Sequence, residues 1–289
     1  MSSTQKGGDT RLERLDRYEV AILGGGNLGA ALARGWVRAG RFEPGQIAIT
    51  RRHPDKLGAL KEEGYTIGSS NVDAVNAAGL VILAVQPQQL PGLLEEIGPH
   101  LDTDRHRLVS VVSGASVAEI REALGRAVPI VRAMPNTAVL IGESMTCLAV
   151  EEGAVDEGAP DGPLAEAREL FDLVGRTLVI PEEMIVPATA LCACGIAFFL
   201  RCVRAAGQGG IEIGFHPEDA ALLAAQTAKG AAALAMRTGA HPESEIDRVT
   251  TPRGCTIAGL NEMEHAGLSS AIIRGIVTSA RAAAELYKG

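Results

Sequence analysis

The stretch Val20-Ala21-Ile22-Leu23-Gly24-Gly25-Gly26-Asn27-Leu28-Gly29 restricts the fold of this chain more tightly than any other. A short apolar run ends in glycines, and apolar residues then recur at helical spacing up to Ala39, so the segment reads as strand, tight turn and helix. Gly24, Gly26 and Gly29 fit G-x-G-x-x-G. Gly24 permits the turn, Gly26 lets backbone approach a pyrophosphate, and Gly29 lets helix and strand pack closely. The N–H groups at the helix start, on Asn27 and Leu28, and the helix dipole then hold phosphates. A bare glycine cluster can be a plain turn, but its position inside a strand-turn-helix-strand unit favours a dinucleotide.

The second strand selects the dinucleotide. An NAD site would place Asp or Glu roughly 20 residues beyond the glycines, where it accepts from the ribose 2′-hydroxyl. Here the strand ends in Thr50-Arg51-Arg52. Two cations and a hydroxyl suit a 2′-phosphate, so NADPH is expected, with NADH as a weaker ligand; the alternative is that both arginines are ordinary solvated charges.

The alternation continues. Strands are expected over 46–50, 80–85, 107–112 and 129–132, and helices over 54–63, 72–78, 91–97 and 117–124. Further strands over 145–150 and 176–180 flank a helix over 163–173, and the acidic stretch 151–162 reads as an exposed loop. Short, wholly apolar strands between helices imply a doubly wound parallel sheet covered on both faces, an α/β domain over 18–181 preceded by a mobile tail, 1–17. From about Pro181 the alternation stops. Ala- and Leu-rich helical periodicity runs through 185–213, 217–238, 243–249, 256–265 and 269–287, so residues 182–289 form an all-α domain whose small residues allow close helix approach and pairing with a second copy.

Composition narrows the function. The 27 basic and 35 acidic residues give a net charge of -8 with no basic stripe, which argues against nucleic acid, and 3% aromatic content excludes a base-stacking platform. The longest apolar run, 188–200, is shorter than the roughly 20 residues of a membrane span. Five cysteines, an odd number with no CxxC pair, fit reduced thiols in the cytoplasm. Cys192-x-Cys194 lacks zinc-ligand spacing and histidine partners, so no metal is expected and the cysteines read as small buried hydrophobes.

Three further segments, with the glycine motif, resemble the pyrroline-5-carboxylate reductase family: Ala84-Val85-Gln86-Pro87-Gln88, where the family more often has Lys at the position of Gln86; Arg132-Ala133-Met134-Pro135-Asn136-Thr137 with Gly142 to Thr146; and Val249 to Leu260, which contains Pro252-Arg253-Gly254-Cys255-Thr256. The resemblance runs from Tyr18 to Leu286. It implies a Rossmann domain followed by a helical dimerisation domain, and NAD(P)H-dependent reduction of a small anionic cyclic imino acid, 1-pyrroline-5-carboxylate, to L-proline in proline biosynthesis. It also implies that Asn71 reaches the adenosine ribose and that Val85, Gln86, Pro87, Met134, Pro135 and Asn136 line the nicotinamide side. Gly254, Cys255 and Thr256 would hold substrate, with the Thr256 hydroxyl near the ring nitrogen as the catalytic contact. Backbone N–H groups at a helix start suit the substrate carboxylate; the plainer role for Thr256 is a helix N-cap.

The chain departs from the family where Ser-Gly-Ser-Gly-Pro-Ala-Tyr becomes Cys192-Ala193-Cys194-Gly195-Ile196-Ala197-Phe198, and where Arg253 and Cys255 replace Gly and Thr. A glycine lost at Arg253 matters if that position needs positive φ; a guanidinium gained there can pair with a carboxylate. These departures keep two alternatives open: reduction of another cyclic imine, and a dinucleotide-binding protein without catalysis.

Overall fold

The computed structural model describes residues 18–151 and 162–285. The expected tail and most of the expected acidic loop lie outside these residues.

The chain begins with β1 (Tyr18–Leu23), α1 (Asn27–Arg38), β2 (Ile47–Thr50), α2 (Gly58–Glu62), β3 (Thr66–Gly68), α3 (Asn71–Asn76) and β4 (Ala78–Leu83). It continues with α4 (Leu90–Ile97), β5 (Arg107–Ser110), α5 (Val117–Leu124), β6 (Ile130–Met134), β7 (Ser144–Ala149), α6 (Pro163–Asp172) and β8 (Gly175–Val179). The strands form one sheet in the order β3-β2-β1-β4-β5-β6-β7-β8. The strand order reverses between β1 and β4, which is where open α/β sheets bind ligands beyond the carboxyl ends of their strands.

Period-two alternation divides β1 between two cores. Val20 and Ile22 face one layer with Leu32 and Trp36 of α1, whereas Ala21 and Leu23 face the other with Leu90 and Leu94 of α4. Trp36 is fully buried, sits edge-on to Phe42 and Phe171, and donates from Nε1 to the Leu170 carbonyl oxygen at 2.9 Å. Three of the nine aromatics thus meet in one cluster on this face of the sheet.

Three expectations about the sheet are corrected. First, β3 was not anticipated; its three half-buried residues are too few to display a period. Second, β4 ends at Leu83 rather than at residue 85. It runs level with β1 from Tyr18↔Ala78 to Leu23↔Leu83, and a last rung from Ala84 N to Leu23 O (2.8 Å) closes the pair, which frees Ala84 and Val85 to form a loop. Third, the sheet is not wholly parallel: β7 pairs antiparallel with β6, and β8 runs parallel to β7. The segment between Met134 and Ser144 is too short for a parallel crossover, which needs a dozen or more residues, so the chain must turn back.

The remaining helices are α7 (Ile185–Ala188), α8 (Gly195–Glu212), α9 (Pro217–Thr238), α10 (Pro242–Val249), α11 (Cys255–His265) and α12 (Leu268–Glu285). The single helix expected over 185–213 is interrupted by a π-helical stretch, Thr189–Ala193. Pro187 supplies no N–H, and Thr189 Oγ1 donates to the Ile185 carbonyl oxygen at 3.0 Å, both of which loosen the regular ladder. By contact density the chain divides into two compact units, one containing residues up to 193 together with 280–285, the other Cys194–Ser279. The 182–193 segment joins the first unit because Ile185 is buried with Met134, Cys147 and Ala149. In the second unit, α8 and α9 pack through Gly207 and Gly210, which lie against Ala220. The described cysteines are not uniformly buried: Cys147 is buried, Cys192 and Cys194 are half-buried, and Cys202 and Cys255 are exposed.

Candidate functional site

A cavity of about 670 Å³ lies at the switch point of the first unit. The turn after β1 forms its floor. Gly24 has φ +120°, and a Cβ there would strike the Ala84 carbonyl; Gly29 allows no Cβ because the Gly24 carbonyl oxygen lies against it. Gly26 has open space where a side chain would be. Gly24 therefore serves the turn and Gly29 the close packing, while Gly26 leaves the surface above it open. α1 begins at Asn27 with Gly26 as N-cap, no side-chain cap and no acidic residue in its first turn. Its first N–H groups have no partner within the helix.

Arg51 and Arg52 line one end of the same cavity. They are not equivalent. Arg51 is half-buried and donates from Nη1 to the Gly25 carbonyl oxygen at 3.1 Å, bracing the glycine turn. Arg52 is exposed and has no hydrogen bond or ion pair among the described residues. Asn71 at the start of α3 also lines the cavity; its Oδ1 accepts from Thr50 Oγ1 at 2.6 Å, and its Nδ2 donates to Glu96 Oε2 at 2.8 Å. Glu96 and His53 are lining residues that sequence reasoning missed. Glu96 belongs to α4, and only the crossover from β4 brings that helix beside α3.

The loop after β4 contributes Val85 and Gln86, whereas Pro87 sets the first turn of a short 3-10 helix and does not line the cavity. Asn27, exposed, and Leu28, half-buried, follow the lining residue Gly26 without lining the cavity themselves, and Gly29, Met134, Pro135 and Asn136 are buried away from it. Met134 and Asn136 are buried, and the amide of Asn136 is already engaged: Oδ1 accepts from Ala138 N at 3.0 Å, and Nδ2 donates to the Cys192 carbonyl oxygen at 3.3 Å. Its side chain holds the turn after β6 in place.

The expected substrate residues form a turn and a helix start in the second unit. Thr251-Pro252-Arg253-Gly254 closes with Gly254 N donating to Thr251 O at 2.9 Å. Proline at the second position and a third residue at φ +62° make this a type II turn, which ordinarily takes glycine third. Arg253 is the only described non-glycine residue at positive φ. The N-cap of α11 is Gly254, not Thr256; Cys255 and Thr256 are the first two helical residues, with no side-chain cap. A Cβ on Gly254 would meet Thr251 Oγ1 at 2.5 Å, so a larger residue there would make the threonine side chain shift. The side chain of Arg253 is exposed, and Thr256 is half-buried. Arg253→Gly should raise the unfolding free energy by up to about 1 kcal/mol, because left-handed strain costs more than the chain entropy glycine adds. Denaturant melts at unchanged slope measure this, and a lower midpoint would show that the arginine makes a compensating contact.

The chain is similar over most of its length to known proteins. Residues 182–286 match the family model described as pyrroline-5-carboxylate reductase dimerisation, and residues 19–114 match that described as NADP oxidoreductase, coenzyme F420-dependent. Pyrroline-5-carboxylate reductase 2 of Dictyostelium discoideum is 52% identical over 271 residues, covering 90% of each chain. Pyrroline-5-carboxylate reductase 1 of the same organism is 55% identical over 93% of this chain; this chain spans only 50% of that protein's length. The crystal structure of a Plasmodium falciparum pyrroline carboxylate reductase with NADP bound superposes with a TM-score of 0.83 at 22% identity, covering 94% of this chain and 99% of that one.

Proposed function

The chain belongs to the pyrroline-5-carboxylate reductase family, and from that premise we propose that it reduces 1-pyrroline-5-carboxylate to L-proline with NADPH, the last reductive step of a proline biosynthesis route. The observation that carries this reading is 52% identity to a reductase of that name across nine-tenths of both chains.

The residues present fit the cofactor. A floor that excludes a side chain at Gly24 and leaves space over Gly26 suits a pyrophosphate, and the free N–H groups of Asn27 and Leu28 supply its donors. Arg52, with Arg51 behind it, suits a 2′-phosphate. Asn71 suits the adenosine ribose, and Val85 and Gln86 the path toward the nicotinamide. Gly29, Pro87, Met134, Pro135 and Asn136 act one layer back by fixing the backbone of these turns. Bound NADPH supplies a hydride to the imine carbon, so the protein has chiefly to position and to exclude water. On the substrate side, the α11 start carries no acidic residue in its first turn, and its N–H groups, at Cys255 and Thr256, suit a carboxylate. Thr256 Oγ1 accepts from the protonated ring nitrogen and holds the C=N bond in line. Arg253 and Gly254 shape the turn that presents these groups.

The functional boundary is placed at Pro181, with a dinucleotide-binding domain over 18–181 and a helical domain over 182–289; the 182–286 range of the dimerisation model supports it. Self-association occurs through the helical domain. In α8 and α9, Phe199, Leu200 and Leu222 are each more than 60% exposed, and α12 exposes Ile273 at 61%. An apolar surface of this kind is ordinarily covered by a partner. The helical run Glu182–Glu212 is long and apolar enough to cross a membrane by length and composition, longer than the run read from sequence. It contains Arg201 and Arg204, and we assign its apolar face to pairing with a second copy instead. Five unpaired cysteines support a cytoplasmic location.

The reading is tested by NADPH oxidation with pyrroline-5-carboxylate, piperideine-2-carboxylate and simple cyclic imines. We expect the first to be turned over with the highest kcat/KM. Preference for the six-membered acid would move the substrate assignment to it, and binding of NADPH with no turnover of any imine would overturn the catalytic reading.

A further inference from the structure

Cys147 and Cys192 lie with their sulfurs 3.8 Å apart, although 45 residues separate them in sequence. Cys147 projects from β7 and is 4% exposed; Cys192 is half-buried in the π-helical stretch after α7. Each is tied to the segment assigned to the nicotinamide side. Cys147 is the register partner of Met134 across β6 and β7, and the Cys192 carbonyl oxygen accepts from Asn136 Nδ2 at 3.3 Å.

We infer that Cys147 and Cys192 are an oxidation site for hydroperoxides, at which a disulfide fastens β7 to the π-helical stretch and lowers turnover by displacing Asn136. The two sulfurs are already in contact: a disulfide places them about 2.05 Å apart, and the existing 3.8 Å leaves a gap for the side chains and their backbone to close. A π-helical stretch can supply the remaining shift because its ladder is already irregular. The thiols differ in the way a peroxide-reactive pair requires. A hydrogen bond from Cys147 holds the Cys192 thiol down at about 7, and the same contact together with burial pushes Cys147 well up. Cys192 is the more accessible of the two and its thiol is the one shifted down, so it is the attacking sulfur.

The steps balance. The Cys192 thiolate attacks the terminal peroxide oxygen; an S–O bond forms, the O–O bond breaks, and the departing oxygen takes up a proton as water or alcohol. The Cys147 sulfur then attacks the Cys192 sulfenic acid. The S–S bond forms, the S–O bond breaks, and hydroxide leaves with the Cys147 proton as water. Two thiols are oxidised by two electrons, and one peroxide is reduced.

The link to turnover rests on the proposed reductase function; the chemistry does not. Full-length protein treated with a small excess of hydrogen peroxide should lose two hydrogens by intact mass and yield a peptide joining residues 147 and 192. Its kcat with NADPH and pyrroline-5-carboxylate should fall at least fivefold and return on adding dithiothreitol. Cys147→Ser should show the untreated rate, no joined peptide and no dithiothreitol-reversible loss; Cys147→Ala serves if the serine variant fails to fold. A joined peptide absent from the oxidised wild type, or Cys192 joined to Cys194, would overturn the site, and a joined peptide with unchanged kcat would overturn its effect on catalysis. If reduced protein turns over no imine, the reductase reading fails, and the mass measurement alone decides the site.

Discussion

Replacing Arg52 with alanine should raise the Kd for NADPH about tenfold and leave that for NADH unchanged. A charge-assisted hydrogen bond contributes about 1.5–3 kcal/mol, and an exposed guanidinium realises the lower end of that range, close to the 1.4 kcal/mol of one decade. The discrimination is expected because Arg52 has no partner among the described residues, so its removal bears on the proposed 2′-phosphate contact alone. Arg51→Ala should behave differently. Its Nη1 braces the Gly25 carbonyl at 3.1 Å, so its loss should weaken both cofactors. The double variant should lose about 10²-fold for NADPH, if two such contacts add. Fluorescence titration with each cofactor separates these effects, and an Arg52 variant that weakened both equally would show that the strand end does not read the phosphate.

The second large effect is expected at Thr256. Valine keeps the branched shape at the second position of α11 and removes only the hydroxyl, so the helix start should survive. If Oγ1 accepts from the protonated ring nitrogen, kcat/KM should drop by about 10- to 100-fold, the cost of one hydrogen bond to a charged group. The Kd for NADPH should not move. Because Gly254 rather than Thr256 caps the helix, a fall in rate cannot be ascribed to a lost cap, and an unchanged rate would remove Thr256 from the site.

The parts of the fold legible in the sequence were those in which a local pattern has a single physical solution. The glycines after β1 are one such case: Gly24 carries positive φ and Gly29 a backbone overlap, and no other residue type satisfies either. The long helix α9 was legible from its proline start and glycine end, Pro217 and Gly239. The sheet's reversal at β7 was not, because strand direction is set by the length of the connection and not by the strand's own residues. The cavity was legible only where it is built from turns next to strands. Glu96 was invisible because it enters through helix packing, and the engagement of Asn136 with Cys192 joins residues 56 apart. Arg253 illustrates the opposite case: its departure from glycine was visible in the sequence, and its φ of +62° puts the arginine in the left-handed region that favours glycine.

The measurement that bears most directly on the central claim is the fate of the hydride. Reduction of 1-pyrroline-5-carboxylate with NADPH deuterated at nicotinamide C4, on the transferred face, should give L-proline carrying one deuterium at Cδ, the former imine carbon. Proline formed without deuterium from either face of the labelled cofactor, or no proline at all from protein that binds NADPH, would contradict direct hydride transfer at this site.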